Sequence, residues 1–206
     1  MAYDNRDENI KETYLSGEDI YKGAIMHVQK WEVALPDGRK AAREIVLHHG
    51  AAAIVPIDER GYITLVRQHR VAIDEFTWEI PAGKLDYAGE DPLSCAKREL
   101  EEETGYKAGN WLKLAHVVST PGYCTERISL YLATELTKSE AHLDEDEFLY
   151  CKSIPLAQAV SDVLTGKIID LKSCLGIIMA ERMLRDLTVP LNAPGFLADS
   201  SYMHGR

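Results

Sequence analysis

Apolar and polar residues alternate in several stretches of the chain, and this pattern predicts a protein rich in β-strands. From Ile20 to Leu47, AIMHVQKWEVAL and REIVL lie on either side of a turn at Pro36-Asp37-Gly38, which predicts a small antiparallel sheet after a polar start. The next two runs, AAAIVPI and YITLVRQ, flank a turn at residues 58–61 and predict a hairpin. LKLAHVVS and ISLYLATEL predict two further strands at 112–119 and 128–136.

Three later segments follow the helical period. Asp91 is a good N-cap, Pro92 suits the first helical position, and Gly105 is a good stop, so a helix of about four turns is predicted between them. Its apolar stripe contains Leu93, Ala96 and Leu100. A short helix near 155–164 and a longer one near 170–187 should follow.

The length of 206 residues suits one main domain with an appendage. We expect an N-terminal strand region at 1–50 that contributes to dimerisation, a main domain at 51–188, and a C-terminal tail at 189–206. Hydrophobic residues make up 46% and charged residues 27% of the chain, as in an ordinary globular protein.

The net charge of −10 excludes a typical nucleic-acid binder, because it would repel the phosphate backbone. A phosphate-bearing ligand would need local cations, either metal ions or a few arginines. The four cysteines are isolated, with no spacing typical of zinc, and fit a reduced compartment. The N-terminus is polar and no apolar run is long enough to span a membrane, so we expect a cytoplasmic protein without a membrane partner.

The segment RELEEETG places several glutamates on one helix. Residues three and four apart share a face, so Glu99, Glu102 and Glu103 should cluster, while Glu101 points elsewhere. Carboxylates on a rigid face suit Mg²⁺ or Mn²⁺, which also coordinate phosphate oxygens. A solvated acidic face is the alternative for such a helix.

The surrounding segment, GKLDYAGEDPLSCAKRELEEETGY from Gly83, resembles the Nudix box. The positions in register are Glu90, Arg98, Glu99, Leu100, Glu102, Glu103 and Gly105. There are two departures: six residues instead of five separate Gly83 from Glu90, and Tyr106 stands where an aliphatic residue is usual. The extra residue should bulge outward in the loop at little cost. Gly83 itself is expected to serve backbone geometry alone.

The resemblance extends over roughly residues 21–184 and points to the ADP-ribose pyrophosphatase branch, on the segments LVRQHR, WEIPAGK, STPGYCTE, DEDEF and GKIIDLKS and on Pro121. It implies an α/β (α+β) fold, the Nudix α/β/α sandwich with a mixed sheet, plus a small N-terminal antiparallel sheet that helps form a homodimer. It also implies metal-dependent hydrolysis of a nucleoside-diphosphate sugar, with ADP-ribose giving AMP and ribose 5-phosphate. Mg²⁺ is the expected metal, with Mn²⁺ as an alternative.

The resemblance also implies roles for individual residues. The metal ligands would be Glu99, Glu103 and the carbonyl oxygen of Ala82, with Glu102 as ligand or support. Arg98 would orient the glutamates, and Glu90 would fix the loop or a metal-bound water; a structural ion pair between Arg98 and Glu90 is the alternative. In the acidic loop, Glu145 would be the general base and Glu147 a further metal contact, whereas a solvated loop would assign neither role.

For the substrate, Arg70 matches a position that contacts the phosphates, Glu126 one that hydrogen-bonds the terminal ribose, and Arg43 one that reaches the ligand from the partner subunit. Each arginine could instead be an ordinary surface charge. Where the family often stacks an aromatic ring on adenine, this chain has Ala24, and Trp31 and Tyr21 are weak substitutes.

Other functions remain open at this level. The box recognises the diphosphate rather than the sugar, so GDP-mannose is an alternative substrate. A Nudix-fold regulator that binds a nucleotide without turnover is a second possibility, although the acidic positions are intact and no basic helix-turn-helix segment is present. A purely structural acidic domain would show no metal dependence.

Overall fold

The computed structural model describes residues 6–143 and 147–188, which form ten strands and three α-helices. The strands are β1 (Thr13–Lys22), β2 (His27–Ala34), β3 (Lys40–Leu47), β4 (Ala51–Pro56), β5 (Tyr62–Arg70), β6 (Glu75–Glu79), β7 (Ala82–Lys84), β8 (Tyr106–Val118), β9 (Arg127–Lys138) and β10 (Leu149–Pro155). The helices are α1 (Pro92–Thr104), α2 (Leu156–Leu164) and α3 (Leu171–Thr188). The expected tail at 189–206 lies outside the described residues.

The strands form three sheets. The first has the order β1-β2-β3 and the second β10-β5-β6, and both are antiparallel. The third has the order β7-β4-β9-β8 and is mixed, because β4 and β9 run parallel while the other pairs are antiparallel.

Strand β4 lies at the centre of the main domain and is buried on both faces. Ala53 and Val55 pack into the core that includes α2 and α3, whereas Ala52 and Ile54 pack into the core that includes α1. Successive side chains of a strand point to opposite faces, so the apolar residues of β4 pack against a layer of helices on each face of the sheet. The α/β/α sandwich with a mixed sheet is therefore confirmed.

The small N-terminal antiparallel sheet is confirmed as well, but it begins earlier than predicted. Strand β1 starts at Thr13, and all ten of its residues are exposed. Its sequence, TYLSGEDIYK, mixes charged residues and a glycine with apolar ones, so periodicity did not identify it as a strand. Across the sheet, the rings of Tyr14 and Trp31 meet edge to face with their centres 5.0 Å apart.

The predicted hairpin of AAAIVPI and YITLVRQ is wrong. The turn exists, since the Gly61 N–H donates to the Asp58 carbonyl at 3.0 Å, but β4 and β5 belong to different sheets. A single bridge between Ile57 and Ile63 joins the two segments. Because β4 is buried on both faces, its partners are β7 and β9 in the middle of the sandwich, whereas β5 turns away to pair with β6 and β10.

The helix predicted from its caps is confirmed at both ends. The Asp91 side chain accepts a hydrogen bond from the Ser94 N–H at 3.0 Å, and Gly105 ends α1 in the left-handed conformation at φ 67°. Ala96 and Leu100 are fully buried against β4. The two later helices, α2 and α3, also lie where they were predicted. Within the described residues, no helix is both long and apolar enough to cross a membrane.

Candidate metal and substrate site

A cleft of about 590 Å³ opens between α1, β7, the start of α3 and the N-terminal sheet. It falls in the range of roughly 300–1,000 Å³ that is usual for ligand pockets. The predicted residues that line it are Arg70, Ala82, Arg98, Glu99, Glu102, Glu126 and Glu147. Residues that were not predicted, including His48, Asp170 and Lys172, line it as well.

The two helix glutamates expected to bind metal are buried. Glu99 is 8% and Glu103 5% exposed, which is unusual for carboxylates unless they are paired. Glu99 accepts a hydrogen bond from the guanidinium of Arg98 at 2.5 Å, and Glu103 accepts one from the backbone N–H of Ala82 at 3.1 Å. The acidic face of α1 is therefore turned toward β7 and is not a solvated surface.

Burial and mutual repulsion change the acidity of this pair. Burial, together with the charges of Glu102 and Glu147, raises the pKa of Glu99 to about 7 against the opposing effect of Arg98. Burial, then the charges of Glu99 and Glu147, raises the pKa of Glu103 to about 8, although the Ala82 N–H opposes this. A divalent cation would relieve both the desolvation and the repulsion.

Gly83 leaves room for one of these carboxylates. A Cβ at this position would lie 2.0 Å from Oε1 and 2.1 Å from Cδ of Glu99. Gly83 is not among the glycines with a positive φ, so the expectation that it serves backbone geometry alone is wrong. The requirement for glycine comes from the close approach of the Glu99 side chain to β7.

Arg98 is the centre of the ion pairs around the box. Besides Glu99, it donates to Glu102 at 3.2 Å and lies 3.8 Å from Glu90. Glu90 in turn accepts from the backbone N–H of Asp86 at 2.7 Å. The loop with the extra residue is therefore hydrogen-bonded to Glu90, and Gly89 turns in it at φ 91°.

Glu101 points away from this face, as the helical spacing predicted. It accepts from the hydroxyl of Ser139 at 2.6 Å and pairs with Lys107 at 2.9 Å. Its cation is therefore Lys107, which the turn at Gly105 brings back toward α1 at the start of β8.

The acidic loop is described only in part. Glu147 lines the cleft, and its charge contributes to the raised pKa values of Glu99 and Glu103. Glu145, together with Asp144 and Asp146, lies outside the described residues. Among the described residues, no group of three or more histidine, cysteine, aspartate or glutamate side chains could hold a metal ion by itself.

The residues expected to bind substrate are only partly brought together. Arg70 and Glu126 line the cleft, and Glu126 lies 3.8 Å from the imidazole of His48. Arg43 is not among the described residues that line it. Its Nε instead donates to the carboxylate of Glu12, the residue before β1, at 3.1 Å. A single chain therefore does not place Arg43 at its own cleft.

The proposed substitutes for an aromatic base-stacking residue do not reach the cleft. Among the described residues, its lining includes neither Tyr21 nor Trp31, whereas the exposed side chain of Ile25 is part of it. The Trp31 ring instead packs edge to face against Tyr14, and its N–H donates a hydrogen bond to the side-chain oxygen of Gln29 at 2.8 Å.

Sequence reasoning missed a buried charged network beside Arg70. Glu79 is 2% exposed and accepts two hydrogen bonds from Arg70, both at 2.7 Å, and one from Lys172 at 2.5 Å. Although burial alone would raise it, the hydrogen bonds from Arg70 and the charge of Lys172 lower the pKa of Glu79 to about 2. WEIPAGK and GKIIDLKS carry these residues, but only the fold brings them into contact.

Comparison with known proteins agrees with this geometry. The family model described as the NUDIX domain matches residues 47–171. The ADP-ribose pyrophosphatase of Mycobacterium tuberculosis is 36% identical over 85% of this chain and 86% of its own. The methanol dehydrogenase activator of Bacillus methanolicus is 39% identical over 81% of this chain and 91% of its own.

A solved structure described as an ADP compounds hydrolase shares the fold, with a TM-score of 0.74 and 23% identity over 85% of this chain and 95% of its own. The family match covers more than half of the chain and includes most of the residues that line the cleft, the buried glutamates and the loop before α1. The chain therefore belongs to the NUDIX domain family.

Proposed function

We propose that this chain hydrolyses the diphosphate linkage of ADP-ribose, releasing AMP and ribose 5-phosphate with the uptake of one water molecule. The observation that carries the proposal is the buried pair Glu99 and Glu103 beside a cleft of about 590 Å³. The similarity to an ADP-ribose pyrophosphatase over 85% of the chain supports the choice of substrate.

The residues at α1 fit a divalent cation. Nudix hydrolases generally need one, and we propose Mg²⁺, with Mn²⁺ as the alternative. Its ligands would be Glu99, Glu103, the carbonyl oxygen of Ala82 and, from the acidic loop, Glu147. The raised pKa values of the two helix glutamates support this assignment, because a cation would offset the cost of burying their charges. When bound, the metal would supply charge stabilisation for the diphosphate and a more acidic water.

The chain's own residues position and activate the reactants. Arg98 holds Glu99 and Glu102 in place through its hydrogen bonds of 2.5 and 3.2 Å. We propose Glu145 as the general base, which must come within hydrogen-bond reach of the attacking water. Arg70 would bind the phosphates and Glu126 the hydroxyls of the terminal ribose, since both line the cleft.

We further propose that the protein acts as a homodimer built on its N-terminal region at 1–50, with the catalytic domain at 51–188. Strand β1 is exposed throughout, and its exposed apolar residues include Tyr14, Leu15, Ile20 and Tyr21. Such a surface favours burial against a second copy. Arg43 would then reach the partner's cleft. The free cysteines among the described residues favour a reducing compartment, and we propose the cytoplasm.

The substrate assignment is tested with a panel of nucleotide sugars assayed with Mg²⁺ for released nucleoside monophosphate. We expect the highest kcat/KM for ADP-ribose, with AMP and ribose 5-phosphate in equal amounts. Higher kcat/KM for GDP-mannose would move the assignment to the alternative substrate. Binding of ADP-ribose without any turnover would instead indicate a regulator.

A further inference from the structure

Glu79 links two cations that come from distant parts of the chain. It ends β6, while Arg70 ends β5 and Lys172 lies in the first turn of α3. Arg70 donates to it from both Nε and Nη2, and Lys172 donates from Nζ, so one buried carboxylate fixes both side chains. The hydroxyl of Thr77 adds a further hydrogen bond at 2.6 Å.

The start of α3 is held against this network by a second set of contacts. Asp170 pairs with Lys172 at 3.0 Å and accepts from the backbone N–H of Ser173, also at 3.0 Å. The hydroxyl of Ser173 donates to Asp170 at 2.5 Å and accepts from the backbone N–H of Ile80 at 2.8 Å. The residue after Glu79 is thus tied to the same helix turn, and Lys172 has little freedom to move.

Both cations line the cleft while keeping donors free of these contacts. An ammonium group has three N–H donors, and two of those of Lys172 face Glu79 and Asp170. A guanidinium has five, and Arg70 uses two of them on Glu79. The other donors of these two side chains have no hydrogen-bond partner among the described residues. Both side chains line the same cleft.

These cations also act on the proposed metal face. The charge of Lys172 lowers the pKa of Glu103, and the charge of Glu103 raises the pKa of Arg70. Arg70 and Lys172 line the same cleft as Glu99 on α1, so a diphosphate beside this face of α1 would lie within reach of both cations. Two fixed cations with free donors suit a dianionic group, because charge-assisted hydrogen bonds to phosphate oxygens are strong and directional.

We propose that Lys172 is a second substrate-binding cation for the diphosphate, and that Glu79 is the positioning residue that aims both Lys172 and Arg70 into the cleft. The inference rests on the proposed function, since it takes the diphosphate of a nucleotide sugar as the ligand. A role in folding alone does not require this arrangement, because a buried ion pair seldom stabilises more than apolar residues of similar volume.

The first test compares Lys172→Met with Lys167→Met. Lys167 is exposed and pairs with Asp162 at 3.1 Å, away from the described lining of the cleft. For Lys172→Met we expect KM for ADP-ribose to rise about ten- to hundred-fold, as for a lost charge-assisted hydrogen bond, while kcat stays within about three-fold. Lys167→Met should match the wild type in both constants. An unchanged KM in Lys172→Met would overturn the inference.

Binding of inorganic pyrophosphate with Mg²⁺, measured by calorimetry, separates this inference from the proposed function. We expect Lys172→Met to weaken pyrophosphate binding about ten-fold or more even if the wild type proves inactive on ADP-ribose. In that case the assignment of ADP-ribose as substrate would be wrong, but Lys172 would still be supported as a cation that binds the diphosphate. Equal binding by the wild type and Lys172→Met, or no binding by either, would overturn the inference.

Glu79→Asp tests the positioning role. It keeps the negative charge but withdraws the carboxylate by one methylene group, so Arg70 and Lys172 lose their shared anchor point. We expect KM to rise about ten-fold while kcat changes little. If Glu79 only stabilised the fold, Glu79→Asp would lower the melting temperature and leave KM unchanged, which would overturn the positioning role.

Discussion

The substitution Gly83→Ala probes how closely β7 approaches the acidic face of α1. The added methyl would lie 2.0 Å from Oε1 of Glu99, whereas non-bonded heavy atoms rest at roughly 3.5 Å. Either the carboxylate must therefore move away by about 1.5 Å, or β7 must shift. Because the atoms in the way belong to the flexible end of a side chain, the lower end of the 1–3 kcal/mol range for overpacking applies, about 1 kcal/mol.

The effect on activity should be much larger than the effect on stability. A misplacement of about 1 Å can cost roughly 100-fold in rate, so we expect kcat/KM for ADP-ribose to fall by about two orders of magnitude or more. The melting temperature should drop by only a few degrees. The rise in melting temperature on adding Mg²⁺ should shrink as well, since a ligand stabilises in proportion to its binding to the folded state.

Gly122→Ala is the matched control for stability and metal response. A Cβ at Gly122 would meet no atom within 4 Å, and this glycine is not at a positive φ. Its Mg²⁺-induced shift in melting temperature should equal that of the wild type. Wild-type turnover and metal response in Gly83→Ala would refute the reasoning, because Glu99 would then not be needed where the structure places it.

Three further predictions concern acidity, assembly and the sugar. Burial raises the pKa values of Glu99 and Glu103 to about 7 and about 8, so the folded state retains protons that the unfolded state has lost. The free energy of unfolding of the metal-free protein should therefore fall as the pH rises from about 4.5 to 8. Over the same range Mg²⁺ affinity should increase, and calorimetry showing the opposite trend would contradict this site. Sedimentation at micromolar concentration should give a dimer, and a monomer would remove the cross-subunit role of Arg43. Glu126→Gln should raise KM for ADP-ribose about ten-fold with a small change in kcat, and an unchanged KM would show that Glu126 does not contact the ribose.

Local signals in the sequence were sufficient for α1 and its acidic face. The cap at Asp91, the stop at Gly105 and the helical spacing of Glu99, Glu102 and Glu103 all depend on residues within a few positions of one another. The structure agrees with each of them. The resemblance to the Nudix box added the expected sandwich, which spacing alone could not supply.

The same local signals could not predict contacts between segments that are distant in the sequence. The turn at residues 58–61 was correctly predicted, but its flanking strands separate into two sheets because β4 is buried on both faces. The short strands β6, β7 and β10 were not predicted, since three to seven residues give little periodic signal. Glu79 and Lys172 are 93 positions apart, so nothing in either segment indicated that they form an ion pair.

The sequence also could not explain why glycine is required at position 83. The motif marks Gly83 but does not say whether backbone conformation or space demands it. In the structure the reason is the carboxylate of Glu99, which comes from the neighbouring helix.

Turnover of ADP-ribose by Glu103→Gln and Glu101→Gln, measured over a Mg²⁺ titration, tests the central claim most directly. Both changes remove one negative charge from α1, but Glu103 lies on the buried face beside Ala82, whereas Glu101 pairs with Lys107 on the other side. We predict that Glu103→Gln lowers kcat by several orders of magnitude while the protein stays folded, and that Glu101→Gln retains nearly full rate and metal response. Retained activity in Glu103→Gln, or equal losses from the two substitutions, would contradict a metal site on this face of α1.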